Sequence, residues 1–145
     1  RERMLHDMST RADAPATASP SANILLVEDD ELVSVTVVAM LKQLGHRTTH
    51  ITNGSTAWRH LQQNPHYDLL LLDLNIPGIS GLEIARRARA ANFHGRILIA
   101  SGRLGENDAR EMDALHVELS LQKPFTTQAL GAALQNCLGR KPVLV

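Results

Sequence analysis

The chain has 145 residues, 43% of them hydrophobic, which is enough for one domain with its own core and too little for two ordinary ones. Fifteen basic and fifteen acidic residues cancel to a formal charge of zero, so the charge excess of a protein that tracks phosphate backbones is missing and nucleic acid is not expected as a direct partner. The single cysteine, Cys137, excludes an internal disulfide or a multi-cysteine metal site and fits a reducing, cytoplasmic setting, while no apolar run approaches the roughly 20 residues that span a bilayer and no signal-peptide hydrophobic region is present.

Residues 1–22 read as a flexible tail or linker. "STRADAPATASPSA" is mostly Ala, Ser, Thr and Pro, and "RERMLHDM" ahead of it fits either the last turns of an upstream helix or a remnant unrelated to the fold. From Asn23 the pattern is regular, and residues 23–139 are expected to form one domain, followed by a tail at 140–145. "NILLV" reads as a buried strand, and residues 31–44 as a helix with Leu32, Val33, Val37, Met40, Leu41 and Leu44 at helical spacing, ended by Gly45. "HRTTHI" is a more polar strand suited to a sheet edge, and Asn53 can cap a helix over 54–63 with Ala57, Trp58 and Leu61 on one side. "DLLLLD" lacks alternation, as a central parallel strand covered on both faces should.

Residues 81–91 are expected to form a helix with Leu82, Ile84, Ala85 and Ala88 inward and its arginines outward. "RILIAS" is a fourth buried strand. Residues 106–116 form a helix whose large apolar residues are chiefly Met112 and Leu115, so its hold on the sheet is expected to be light. A fifth strand near "VELSLQ" and a last helix capped by Thr126 or Thr127, with Leu130, Ala133, Leu134 and Leu138, complete the chain. Five strand–helix units predict an α/β fold with a five-stranded parallel sheet and helices on both faces.

In such sheets ligands bind outside the carboxyl ends of the strands, where strand order reverses. There the sequence places Glu28, Asp29 and Asp30 after strand one, Asp73 at the end of strand three, Ser101 at the end of strand four and Lys123 with Pro124 after strand five. Each has a plain alternative: the first three as helix caps, Asp73 as a strand terminator, Ser101 as a turn residue, Lys123 as a solvated lysine. Together they suit phosphoryl chemistry. Converging carboxylates repel one another unless protons or a hard cation intervene, and Mg2+ takes oxygen ligands. Asp73 can then be a nucleophile toward phosphorus, with Lys123 and the Ser101 hydroxyl for phosphoryl oxygens.

"ILLVEDDE", "LLLLDLNIPGISGLEI", "ILIASG" and "QKPF", in this order and each at the end of a predicted strand, resemble the receiver domain of two-component response regulators and hybrid sensor histidine kinases over about residues 23–139. The resemblance implies a flavodoxin-like doubly wound (βα)5 fold with strand order 2-1-3-4-5, and Mg2+-dependent phosphorelay from the phosphohistidine of a histidine kinase or histidine phosphotransfer protein. On it, Asp73 is the phosphoacceptor. Asp29 binds the metal directly, Glu28 binds it through water, and the Asn75 backbone carbonyl is a further ligand. Ser101 is the switch hydroxyl, Lys123 bonds the phosphate, and the Lys123–Pro124 bond is cis. Asn75 and Arg103 occupy positions that tune the lifetime of the phosphoryl group. The surface of the fourth strand, fourth helix and fifth strand is the expected output.

One position departs from the family's pattern: three residues before the lysine, where Tyr, Phe or His is usual, stands Ser120. A ring-coupled switch is therefore not expected, and the signal is expected to pass through the loop after Ser101 and the helix that follows. The seven histidines are read as neither ligands nor phosphate donors, Cys137 as core and Trp58 as packing. Two rivals stand beside the leading reading of a signalling module that is not a metabolic enzyme. One is a haloacid-dehalogenase-type phosphatase, which wants an Asp where Asn75 stands, and the other is a receiver-like binding platform that ignores phosphate. The Ala/Ser/Pro linker suits the C-terminal receiver of a hybrid kinase, a single-domain regulator fits nearly as well, and homodimerisation through the fourth-helix face is compatible with either.

Overall fold

A computed structural model describes residues 21–102 and 105–139, so the expectations for residues 1–20, Arg103 and 140–145 lie outside the described residues. The elements alternate as predicted: β1 (Asn23–Val27), α1 (Glu31–Gln43), β2 (Arg47–Ile51), α2 (Gly54–Gln63), β3 (Leu69–Asp73), α3 (Gly81–Ala90), β4 (Arg96–Ser101), α4 (Glu106–Ala114), β5 (Leu119–Gln122) and α5 (Thr127–Leu138). The five strands pair in parallel in the order β2-β1-β3-β4-β5, the flavodoxin-like doubly wound arrangement. Strand order therefore reverses between β1 and β3.

Strand side chains point alternately to the two faces, and the core splits accordingly. Leu25, Val27, Leu70, Leu72, Ile97 and Ile99 pack under α2, α3 and α4. Ile24, Leu26, Leu69, Leu71, Leu98 and Ala100 pack under α1 and α5, where Cys137 is a buried core residue. The four leucines of β3 are completely or almost completely removed from water, each burial favouring the fold by about 2 kcal/mol. That makes β3 the stiff centre on which Asp73 is mounted.

Helix starts follow local chemistry. Asp30 caps α1 by accepting the Val33 N–H at 3.0 Å, Asn53 caps α2 by accepting those of Ser55 and Thr56 at 2.8 and 3.1 Å, and Thr126 caps α5 by accepting that of Ala129 at 3.0 Å. Past the end of α1, Gly45 takes φ +92°, a conformation that favours glycine.

Three expectations need correction. Leu32, one of the apolar residues at helical spacing in α1, is 76% exposed, and Val35 is exposed as well. The fifth strand is shorter than "VELSLQ": His116 takes φ +58° and Val117 N–H still bonds the Met112 carbonyl, so this stretch belongs to the exit turn of α4. The α3 arginines do not all face outward. Arg89 is buried, with its guanidinium donating to four backbone carbonyls. Two of those carbonyls, of Leu115 and His116, lie at the end of α4, and Arg86 pairs with Glu111. The hold on α4 is thus light in apolar contact, with Met112 as its one buried residue, and reinforced by polar ties to α3.

Candidate functional site

β1 leaves the sheet with Glu28, whose N–H still bonds the Ile51 carbonyl at 3.1 Å. Its side chain is only 3% exposed. Glu28 Oε1 receives Lys123 Nζ at 2.7 Å, and Oε2 accepts the Asp30 N–H at 3.1 Å. Asp29 stands exposed between the two. Asp73, buried at the end of β3, has its Oδ2 3.3 Å from the same Lys123 Nζ. One carboxylate oxygen from each of Glu28, Asp29 and Asp73 lies within 4.8 Å of the others. Among the described residues this is the one cluster of potential metal ligands.

The loop after Asp73 is fixed by close backbone approach. Gly81, the first residue of α3, sits against the end of β3, and a Cβ there would fall 2.2 Å from the Asp73 carbonyl oxygen. A Cβ on Gly54 would fall 1.8 Å from the Ile79 carbonyl oxygen, and Gly54 N–H bonds the Pro77 carbonyl at 2.8 Å, so the start of α2 props the loop from below. Gly78 turns at φ +88° over the Asn53 cap. This is why "NIPGISG" carries its glycines where it does.

Burial raises the Asp73 pKa above the ordinary carboxylate value, and the charge of Glu28 raises it further; Lys123 and the Asn75 backbone N–H offset only part of this. For Lys123, burial acts to lower the pKa, but its hydrogen bond to Glu28 and the charges of Asp73 and Glu28 outweigh it, so the ammonium is held above its usual range. Of the three clustered carboxylates, Glu28 and Asp73 share one lysine. The surplus of negative charge is what a hard cation relieves, and an all-oxygen donor set with two buried members fits one.

The structure gathers Glu28, Asp29, Asp73 and Lys123 directly. Asn75 lies exposed two residues past Asp73. Ser101 is buried one residue beyond Ala100, the register partner of Asp73, and its carbonyl accepts the Lys123 N–H at 2.8 Å. The Lys123–Pro124 peptide bond is cis. Ser120 is exposed on β5, in register with Ile99. Sequence reasoning missed two contributors: His50, whose Nε2 meets the Glu28 carbonyl at 2.8 Å, and the Asn53–Gly54 prop beneath the loop. A glycine directly after a capping residue was the available signal for the prop.

The family model for the response regulator receiver domain matches residues 24–135. Among curated relatives, the response regulator receiver protein CpdR of Brucella abortus is 33% identical over 115 residues, covering 79% of this chain and 95% of that protein. The autoinducer 1 sensor kinase/phosphatase LuxN of Vibrio campbellii is 32% identical over 122 residues, 83% of this chain but 14% of LuxN. The chain thus spans nearly all of one relative and a small part of another. Of solved structures, the receiver domain of sensor histidine kinase PA1611 from Pseudomonas aeruginosa, described with a magnesium ion in its active-site cleft, matches with a TM-score of 0.74 at 28% identity, covering 83% of this chain and 100% of that one. The chemotaxis protein CheY4 of Vibrio cholerae, at 24% identity and a TM-score of 0.75, shares the fold over 82% of this chain and 100% of its own. The chain belongs to the response regulator receiver domain family.

Proposed function

We propose that this signalling domain takes up a phosphoryl group on Asp73 from the phosphohistidine of a histidine kinase or a histidine phosphotransfer protein in the cytoplasm. The observation that carries the reading is the buried Asp73 carboxylate, crowded by Glu28, with Lys123 Nζ at 3.3 Å. A carboxylate oxygen of Asp73 attacks phosphorus, the P–N bond of the donor breaks, and its electron pair returns to the imidazole nitrogen. Lys123 holds a phosphoryl oxygen by charge, and the Ser101 hydroxyl donates to another. Asp29, Asp73, the Asn75 backbone carbonyl and, through water, Glu28 would hold Mg2+, which when bound supplies positive charge for the phosphoryl oxygens. Asn75 and Arg103 tune the lifetime before hydrolysis.

Beside Lys123, an apolar groove of about 410 Å³ runs between α1 and the start of α5, lined by Leu32, Thr36, Met40, Pro124 and Phe125. Its exposed leucine and its nearness to the acceptor suit it to the protein that brings the phosphohistidine. With Ser120 in place of a ring, the phosphorylated state is read out through the β4–α4 loop and α4. Amide exchange across α4 that does not change on phosphorylation would contradict this. Relatives of both kinds, CpdR nearly whole and LuxN in small part, keep the single-domain and hybrid-kinase contexts together. Exposed Ser120 also supports a second reading, a binding platform indifferent to phosphate.

Intact-mass analysis after incubation with acetyl phosphate and Mg2+ separates the two. One phosphoryl group added to the parent, absent with EDTA, is expected. No adduct on a chain shown to bind Mg2+ would favour the platform.

A further inference from the structure

The edge strand β2 carries a side chain that reaches the acidic pocket through the backbone. The β1–β2 ladder runs from the Asn23–Arg47 pair to the Val27–Ile51 pair and closes with Glu28 N–H on the Ile51 carbonyl. One more rung of a parallel ladder would bring the N–H of residue 53 to the Glu28 carbonyl. Asn53 has instead left the sheet to cap α2. His50, part-buried, takes up that place with its Nε2 2.8 Å from the Glu28 carbonyl oxygen. A carbonyl oxygen only accepts, so Nε2 carries the proton and donates.

That oxygen belongs to the planar peptide unit joining Glu28 to Asp29, so holding it sets the direction in which Asp29 leaves the strand. Glu28 is restrained at its side chain by Lys123 and the Asp30 N–H. Asp29 is exposed, and the backbone is what aims it.

We propose that His50 is a positioning residue for the cation site, holding the Glu28–Asp29 peptide so that both carboxylates converge with that of Asp73. This rests on the reading of the pocket as a Mg2+-dependent phosphoacceptor. Partners that orient metal ligands from outside the coordination sphere commonly alter metal affinity when removed.

The test is calorimetric titration of the metal-free full chain with Mg2+, for the parent, His50→Phe and His50→Gln, with the metal-free melting midpoint recorded for each. Phe keeps a ring without a donor, and Gln returns an N–H at similar reach. The Kd is expected to rise about ten-fold in His50→Phe and to return to within about two-fold of the parent in His50→Gln. Should His50→Phe fail to fold, His50→Val, suited to an edge strand, carries the same comparison. A lowered midpoint with unchanged Mg2+ affinity in the donor-less variant would make His50 merely structural and overturn the inference alone. A parent that binds no Mg2+ would overturn the pocket's reading and this inference together.

Discussion

The two ends of the same sheet bury charge in opposite ways. At the amino edge, Arg89 donates to the carbonyls of Leu115, Phe93, Gly95 and His116 at 2.8–2.9 Å, and Arg96 pairs with Glu118 at 3.2 Å with both side chains 7% exposed. Apart from Arg96 Nη2, which is buried without a hydrogen-bond partner, these polar groups are spent on holding loops together. At the carboxyl edge, the carboxylates of Glu28, Asp29 and Asp73 converge, two of them paired with one lysine, and remain out of balance. The larger hollow, about 760 Å³ and lined in part by Trp58, Tyr67, Phe93 and His94, lies at the amino edge. Volume therefore does not mark the reactive end of this molecule; uncompensated charge does.

The largest effect is expected at Asp73. Asp73→Ala should lose all Mg2+-dependent phosphorylation by acetyl phosphate while remaining folded, because it removes a strained charge instead of a packing contact; intact mass and a melting curve check both halves. Arg89→Met should do the reverse. Four carbonyls lose their donor, for a loss of about 3 kcal/mol in urea unfolding, while the folded protein still takes up phosphate. A variant that melts like the parent would show that the amino edge is not the structural end.

A smaller effect separates the site from its approach. Leu32→Glu should slow phosphotransfer from a phosphorylated histidine phosphotransfer protein about ten-fold and leave acetyl phosphate labelling unchanged. Equal slowing with both donors would place Leu32 in the chemistry. Smallest is a pH effect at the amino edge, where burial lowers the pKa of His46 and its Nδ1 accepts the Ala22 N–H at 3.1 Å. A histidine with a depressed folded pKa contributes stability above its ordinary value of 6.5, lost as pH falls through the folded value. His46→Asn keeps an acceptor that does not titrate, so the fall in unfolding free energy from about pH 7.5 to about pH 5.5 should be shallower than in the parent.

The fold and the acidic pocket were legible because their signals are local. Four leucines before Asp73 announce a doubly covered strand, and Asp30, Asn53 and Thr126 announce helix starts. What stayed hidden depends on where the chain returns. Helical periodicity sends every arginine of α3 outward, and only the fold reveals that carbonyls from the α3–β4 loop and the end of α4 surround Arg89. Strand alternation gives the face on which His50 lies, but not that the β1–β2 ladder stops one rung short and leaves the Glu28 carbonyl to it. Leu32 fits the apolar spacing of α1, and the spacing is silent about the groove along which it stays exposed.

The most direct test of the account is to locate the phosphoryl group. The chain is labelled with acetyl phosphate and Mg2+, reduced with borohydride to convert an acyl phosphate into an alcohol, digested and mapped by tandem mass spectrometry. Homoserine at position 73, found only when Mg2+ was present, is the predicted result. A modified residue elsewhere, or labelling that persists with EDTA, would contradict the assignment of the carboxyl edge as the phosphoacceptor site.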